Sequence, residues 1–240
     1  MKPGPALLVY LLVAGLLAAC GGQPIQRKDG SSSLRGFSLK ELVKSDVDTV
    51  VEIHQHEVAT ALKTLTLKLY RRNPGEWRKA GFRSAEAATD ALFEALPNWR
   101  SSSQRSINWE ASVLDALRED YAGNRVEALM GGLLVMHMAA YNHETEFYLL
   151  SELDPQKFYN AARNTEAIVW RLATARDRGG KPLLLANGVD DKGVANLSFE
   201  REFGKLIGLQ DTLAKIVEDK NNRAIRFGVV NVASMILLPI

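Results

Sequence analysis

Cysteine is nearly missing from this chain, with one in 240 residues, at position 20. A lone cysteine can neither close an intramolecular disulfide nor supply a multi-thiolate zinc site, so the fold must be held by packing. Histidine is scarce too, at four. Neither sign of charge dominates, since 30 Lys and Arg stand against 28 Asp and Glu. That balance argues against a nucleic-acid binder, which concentrates basic charge on one face. No apolar run reaches the roughly 20 residues needed to cross a bilayer as a helix. There is no Gly-x-Ser-x-Gly elbow, Ser-x-x-Lys pair, phosphate-binding glycine loop or dinucleotide fingerprint. The acidic residues are scattered over helical positions and offer no evident pair for general acid–base work.

What is present is an ordinary globular composition, 46% apolar and 24% charged, enough for a real core in one large domain or two small ones. The first segment stands apart. Lys2 precedes an apolar run from Ala6 to Leu17, and Leu17-Ala18-Ala19-Cys20 places small residues before the cysteine. This is the pattern of a secretory signal peptide. It resembles the lipobox of bacterial lipoproteins, in which the cysteine receives lipid and becomes the first mature residue. The resemblance implies a signal peptide over residues 1–19, lipidation of Cys20 and attachment to a membrane. Gly21, where an aspartate would favour the inner membrane, implies outer-membrane anchoring with the body facing the periplasm. With its only thiol lipid-bound, the body has no cysteine nucleophile, and without Lys2 its net charge is about +1.

Residues 20–37 read as the lipidated cysteine and a flexible tether, rich in Gly, Gln, Pro and the run Ser31-Ser32-Ser33. Such a segment has an r.m.s. span of roughly 20–25 Å. Residues 38–240 read as one all-α domain, a bundle of about seven or eight helices. Ser38 to Glu41 forms a capping-box pattern for a short helix, and Ser45 or Asp46 restarts it. Val47, Val51, Val58, Leu62, Leu65 and Leu69 keep a three-four spacing, the strongest helix signal in the chain. Pro74 stops that helix, and Asn73 is placed to cap the next. Ser84 caps a helix to about Leu96, Asn98 to Ser106 reads as a polar surface loop, and Asn108 or Ser106 starts a helix through Val113 and Leu117. Asn124 with Glu127 opens an almost wholly apolar helix over Val126 to Leu153, which belongs in the middle of a bundle. Asp154-Pro155 opens another, lasting to Gly179-Gly180. A small hairpin or ordered loop is expected near residues 181–197. Ser198 caps a final patterned helix, Asn221-Asn222 marks a bend, and Ile225 to Ile240 is an apolar ending that is either docked in the core or offered to a partner.

The candidates for chemistry are His54, His137, His143 and Glu144. His54 and His56 cannot share a metal through one helix, because residues two apart point about 200° apart; the usable pairs are Glu52 with His56 and His54 with Glu57. His54 and His137 sit in apolar stripes, which points to hydrogen-bonded core or boundary histidines. A metal site would instead join His54, His137 and Glu144 across packed helices. No metal ligand set and no cofactor is expected. Gly131-Gly132 marks a close helix crossing or, alternatively, a hinge or ligand approach. The basic phrase Lys68 to Pro74 with Arg78 and Lys79 reads as a solvated helix end. Residues 46–80 around it also resemble proteobacterial lipoproteins of no assigned activity, so that likeness implies none here.

The expectation from these residues is a lipid-anchored periplasmic accessory or assembly protein that acts through contacts with an envelope protein and binds no nucleic acid. The alternatives are a metal-dependent or hydrolytic enzyme using those histidines, and a helical carrier of an apolar ligand suggested by the Met-rich segment Met130 to Met138. The oligomeric state is open.

Overall fold

The computed structural model describes residues 25–26, 28, 32–33, 44–148, 151–188, 193 and 195–236, with side chains through Asn222. The signal peptide, Cys20, the capping box at Ser38 and the last four residues lie outside the described residues. The chain divides into two units, 1–42 and 43–240. In the first, β1 (Ile25–Gln26) pairs antiparallel with β2 (Ser32–Ser33), Ile25 opposite Ser33.

The second unit is all-α. Its described residues form α1 (Asp46–Arg72), α2 (Pro74–Lys79), α3 (Ala85–Phe93), α4 (Trp109–Ala116), α5 (Arg125–Ala140), α6 (Pro155–Thr174) and α7 (Ser198–Ile236). Two 3₁₀ turns, Leu96–Ser101 and Ser103–Ser106, link α3 to α4. The four long helices form a closed ring of contacts, α1 on α5, α5 on α6, α6 on α7 and α7 back on α1, while α3 packs on α1 and α4 on α5.

α1 begins with a reciprocal cap. Ser45 Oγ accepts the Asp48 N–H and an Asp48 carboxylate oxygen accepts the Ser45 N–H, satisfying two donors that a helix start leaves open. Asp48 is wholly buried and its other oxygen accepts from Lys220 of α7 at 2.7 Å. Burial raises the Asp48 pKa, but the bonds from Lys220 and Ser45 outweigh it and the net shift is downward. Along α1 the buried face is Val51, Gln55, Val58, Leu62, Leu65 and Leu69. Each buried aliphatic on that face contributes about 2 kcal/mol by transfer from water.

The crossing of α4 over α5 explains one glycine of the pair. A Cβ on Gly132 would lie 2.8 Å from the Trp109 carbonyl oxygen and 2.8 Å from Val113 Cγ2, whereas Gly131 faces only Leu92 at 3.5 Å. The close crossing therefore belongs to Gly132. Arg125, buried at the start of α5, donates to the carbonyls of Ala116, Arg118 and Glu119. Its cation thus satisfies the open carbonyls at the end of α4, where the helix dipole is negative.

Several boundaries differ from the sequence reading, each for a tertiary reason. α5 stops at Ala140, well short of Leu153, because Asn142 and His143 turn left-handed at φ 54° and 59° and their N–H groups close back on Ala139 and Met138. α6 stops at Thr174, before Gly179-Gly180; those glycines instead form the turn of a small hairpin in which Arg176 pairs with Pro182 and the Leu183 N–H reaches Ala175. That hairpin is distinct from the hairpin or ordered loop expected near residues 181–197, part of which lies outside the described residues; there the Asn196 N–H reaches the Gly188 carbonyl at 2.8 Å. Asn73 does not cap α2 with its side chain. Its amide pairs with both backbone groups of Leu185, Nδ2 donating to the carbonyl at 2.9 Å and Oδ1 accepting the N–H at 2.8 Å. The cap before α7 is Leu197, whose carbonyl accepts from Arg201, and Asn196 Oδ1 accepts the Ser198 N–H. The helix runs on through Asn221-Asn222.

Candidate functional site

The structure keeps His54 and His137 apart from each other and from His143 and Glu144, which share the turn after α5. His54 is half-buried on the flank of α1, and its Nδ1 donates to the Val50 carbonyl at 2.9 Å. The inward position next to it belongs to Gln55, which donates to the Glu144 carbonyl at 2.6 Å. Glu52 accepts from Lys44 and from the Phe147 N–H, and Glu57 pairs with Lys205. Neither acid is joined to a histidine of the same helix by a hydrogen bond among the described residues. No cluster of three or more His, Cys, Asp or Glu arranged for a metal occurs among the described residues.

His137 lies at the centre of the helix ring and is 1% exposed. The Thr165 hydroxyl of α6 donates to its own helix at Ala161, so its oxygen accepts the His137 Nε2–H at 3.2 Å. His137 Nδ1 then accepts from Gln210 Nε2 of α7 at 2.8 Å. This is a neutral histidine with both ring nitrogens used. Burial pulls its pKa down to about 3. Gln210 also lies against Tyr141, whose hydroxyl is pushed upward in pKa by burial and partly relieved by that amide. The trio is a buried polar link among α5, α6 and α7, closed to solvent.

The methionines Met130, Met136 and Met138 are likewise buried in the core, and they line none of five clefts on the described surface.

The solvent-facing polar geometry lies at the end of α5. The left-handed pair Asn142-His143 costs about 1–2 kcal/mol per residue, and the surroundings hold it firmly. Lys157 donates to Asn142 Oδ1, Asn142 Nδ2 donates to the Glu152 carbonyl, and Trp99 Nε1 donates to His143 Nδ1 at 3.1 Å. The two rings lie with planes 19° apart. Arg100 pairs with Glu144. Clefts open on both sides of this turn. One of about 350 Å³ is walled by Glu144, Glu146 and Glu152, and one of about 380 Å³ by Arg100, Arg105, His143 and serines of the 3₁₀ turns.

The sequence singled out His143 and Glu144 but missed Trp99, whose stretch read as a surface loop. Trp99 is fully buried. A tryptophan inside Asn98-Trp99-Arg100-Ser101 was the available signal, because a large apolar ring seldom sits in a polar segment without packing somewhere.

A second surface feature runs along α6. Tyr159 is 48% and Trp170 67% exposed, and at 11 residues apart they share one side of the helix, about three turns from each other. Arg163 lies between them on the same side, its guanidinium 5.1 Å from the Tyr159 ring and paired with Asp211 of α7 and with Glu166. A cleft of about 460 Å³ lies beside Tyr159 and Arg163 but not Trp170; Arg163 pairs with Asp211 and Asn221 donates to the Leu153 carbonyl, so α6 and α7 run antiparallel.

No protein-family model matches this chain, and no curated protein or solved structure is significantly similar to it.

Proposed function

We propose that this protein is a lipid-anchored envelope accessory or assembly protein that works by binding another protein through α6. The observation that carries the reading is the line Tyr159–Arg163–Trp170 on one exposed side of that helix. Tyr, Arg and Trp are the residues that most often dominate binding energy at protein interfaces, because they bury large area at low conformational cost while keeping a polar handle. Leu197, 62% exposed, lies immediately before α7. The lipobox pattern ending at Cys20 supports the membrane anchor, and the polar stretch behind it supports a body held clear of the bilayer.

The test is a photoreactive side chain placed at position 170, and separately at 159, in the full chain in cells. The reading expects both positions to label the same envelope protein and Arg163→Ala to abolish labelling. Different adducts from the two positions, or none, would refute it.

A further inference from the structure

The basic cleft beside His143 has the donor set of an anion site. Arg105 donates through Nη1 to the Arg100 carbonyl at 2.8 Å, which fixes its position, and it has no carboxylate partner among the described residues. Its other guanidinium N–H groups remain open. Ser101 and Ser102 spend their hydroxyls on Asn98 and on the Gln104 N–H. Ser103 and Ser106 line the cleft with hydroxyls that have no protein partner among the described residues. His143 is committed by Trp99: an indole N–H only donates, so Nδ1 must accept and the ring proton sits on Nε2. That leaves His143 Nε2–H as a further open donor in the cleft wall.

The charge around these donors is positive. Arg105 and Lys157 both act on His143 strongly enough to help hold its pKa below the ordinary value, after desolvation and against the pull of Glu144. Glu144, the one carboxylate at this turn that reaches the cleft's arginines, is already occupied by Arg100. Lys157 is held against Asn142 with no carboxylate partner among the described residues. Arg105, without a carboxylate partner among the described residues, and unused N–H and O–H donors around one concavity match a group with several strong acceptor oxygens and negative charge, while Lys157 adds its field from outside the cleft lining.

We infer that the cleft formed by Arg105, Ser103, Ser106 and His143 binds a phosphate group. At about 380 Å³ it has room for a phosphate carried on an organic group. The Arg105 fork engages two phosphate oxygens, and the two serine hydroxyls and His143 Nε2–H engage the rest, with His143 neutral because its Nδ1 keeps the Trp99 bond. The bearer is either a soluble phosphate monoester or a lipid headgroup, and the chemistry on the protein side is the same.

Full-length protein in detergent is titrated with inorganic phosphate at constant ionic strength in chloride, following the His143 ring and Trp99 indole signals by NMR. In parallel, flotation is measured with phosphatidylcholine vesicles with and without phosphatidic acid. The expected result is saturable phosphate binding, read as saturable movement of the His143 ring and Trp99 indole signals. Affinity should fall roughly tenfold in Arg105→Gln and in Ser103→Ala with Ser106→Ala, and stay unchanged in Arg83→Gln, a loss typical of one charge-assisted contact. Phosphatidic acid flotation that phosphate competes away and Arg105→Gln removes identifies a headgroup as bearer. Phosphate binding without such flotation identifies a soluble one. If neither probe binds saturably, or if the Arg105 and serine variants bind as well as the parent while their circular dichroism is unchanged, the inference is overturned.

Discussion

Gln210 of α7 donates its amide N–H to Nδ1 of His137 in α5 at 2.8 Å, in the middle of the helix ring. That single bond fixes the histidine as neutral and couples two helices that are distant in sequence. Its Nε2–H completes the link to Thr165 of α6, so one side chain holds three of the four long helices in register.

Acid should therefore loosen this protein. The unfolded histidine titrates near 6.5 and the folded one near 3, so on acidification the unfolded chain takes up the proton first. The stability that depends on a neutral His137 is complete above pH 6.5 and drains as pH falls from 6.5 toward 3. Linkage puts the loss at about 2 kcal/mol between pH 7 and pH 5. Urea midpoints measured across that range should show it, and His137→Gln, which cannot titrate, should flatten the slope while lowering stability at neutral pH. An equally steep slope in that variant would assign the acid sensitivity elsewhere.

The two glycines of α5 should respond oppositely to alanine. At Gly131 the added methyl meets only Leu92 at contact distance, so Gly131→Ala should gain up to about 1 kcal/mol from helix propensity. At Gly132 the methyl would press on the Trp109 carbonyl and Val113, and pushing α4 away should cost about 1–3 kcal/mol net. Thermal denaturation of both variants separates a packing role from a hinge role, since a hinge would make both substitutions alter function with little change in stability.

Asn73 acts as a clamp on the segment after α6. Its amide imitates a strand neighbour for Leu185. Asn73→Ala leaves both Leu185 groups to solvent and should cost about 1–2 kcal/mol, concentrated locally. Limited proteolysis should cut near Lys181 faster in the variant, with the rest of the bundle still protected from hydrogen exchange.

Arg125 should tolerate neither conservative nor apolar replacement. Its two Nη groups reach three carbonyls of the α4 end. Arg125→Lys retains charge but lacks the planar fork that spans them. Arg125→Met removes the guanidinium from all three carbonyls, leaving the Arg118 carbonyl only the Tyr121 N–H at 3.3 Å, and should cost about 2–4 kcal/mol. A melting temperature within a degree or two of the parent in Arg125→Met would show that water replaces the guanidinium without penalty.

The chain by itself determined that the body is all-α, and it located most helix starts. Ser45, Ser84, Asn108, Asn124 and Asp154 each cap the helix expected after them, because capping is a local contest between one side chain and the next three N–H groups. The apolar spacing of α1 was equally legible, with one exception. Its stripe drew attention to His54, while the packed position is Gln55, since periodicity locates a face only to within a residue. Helix ends were less legible. The stop after Ala140 depends on Asn142 and His143 accepting a left-handed turn that Lys157, Glu152 and Trp99 stabilise from elsewhere in the chain. The apolar surroundings of His137 pointed to a satisfied core group, but only the tertiary structure decided that its partners are Thr165 and Gln210 and that His143 faces a basic cleft with Arg105. Both sites are assembled from helices and turns far apart in sequence, and hydrogen-bond geometry between such segments leaves no spacing pattern to read.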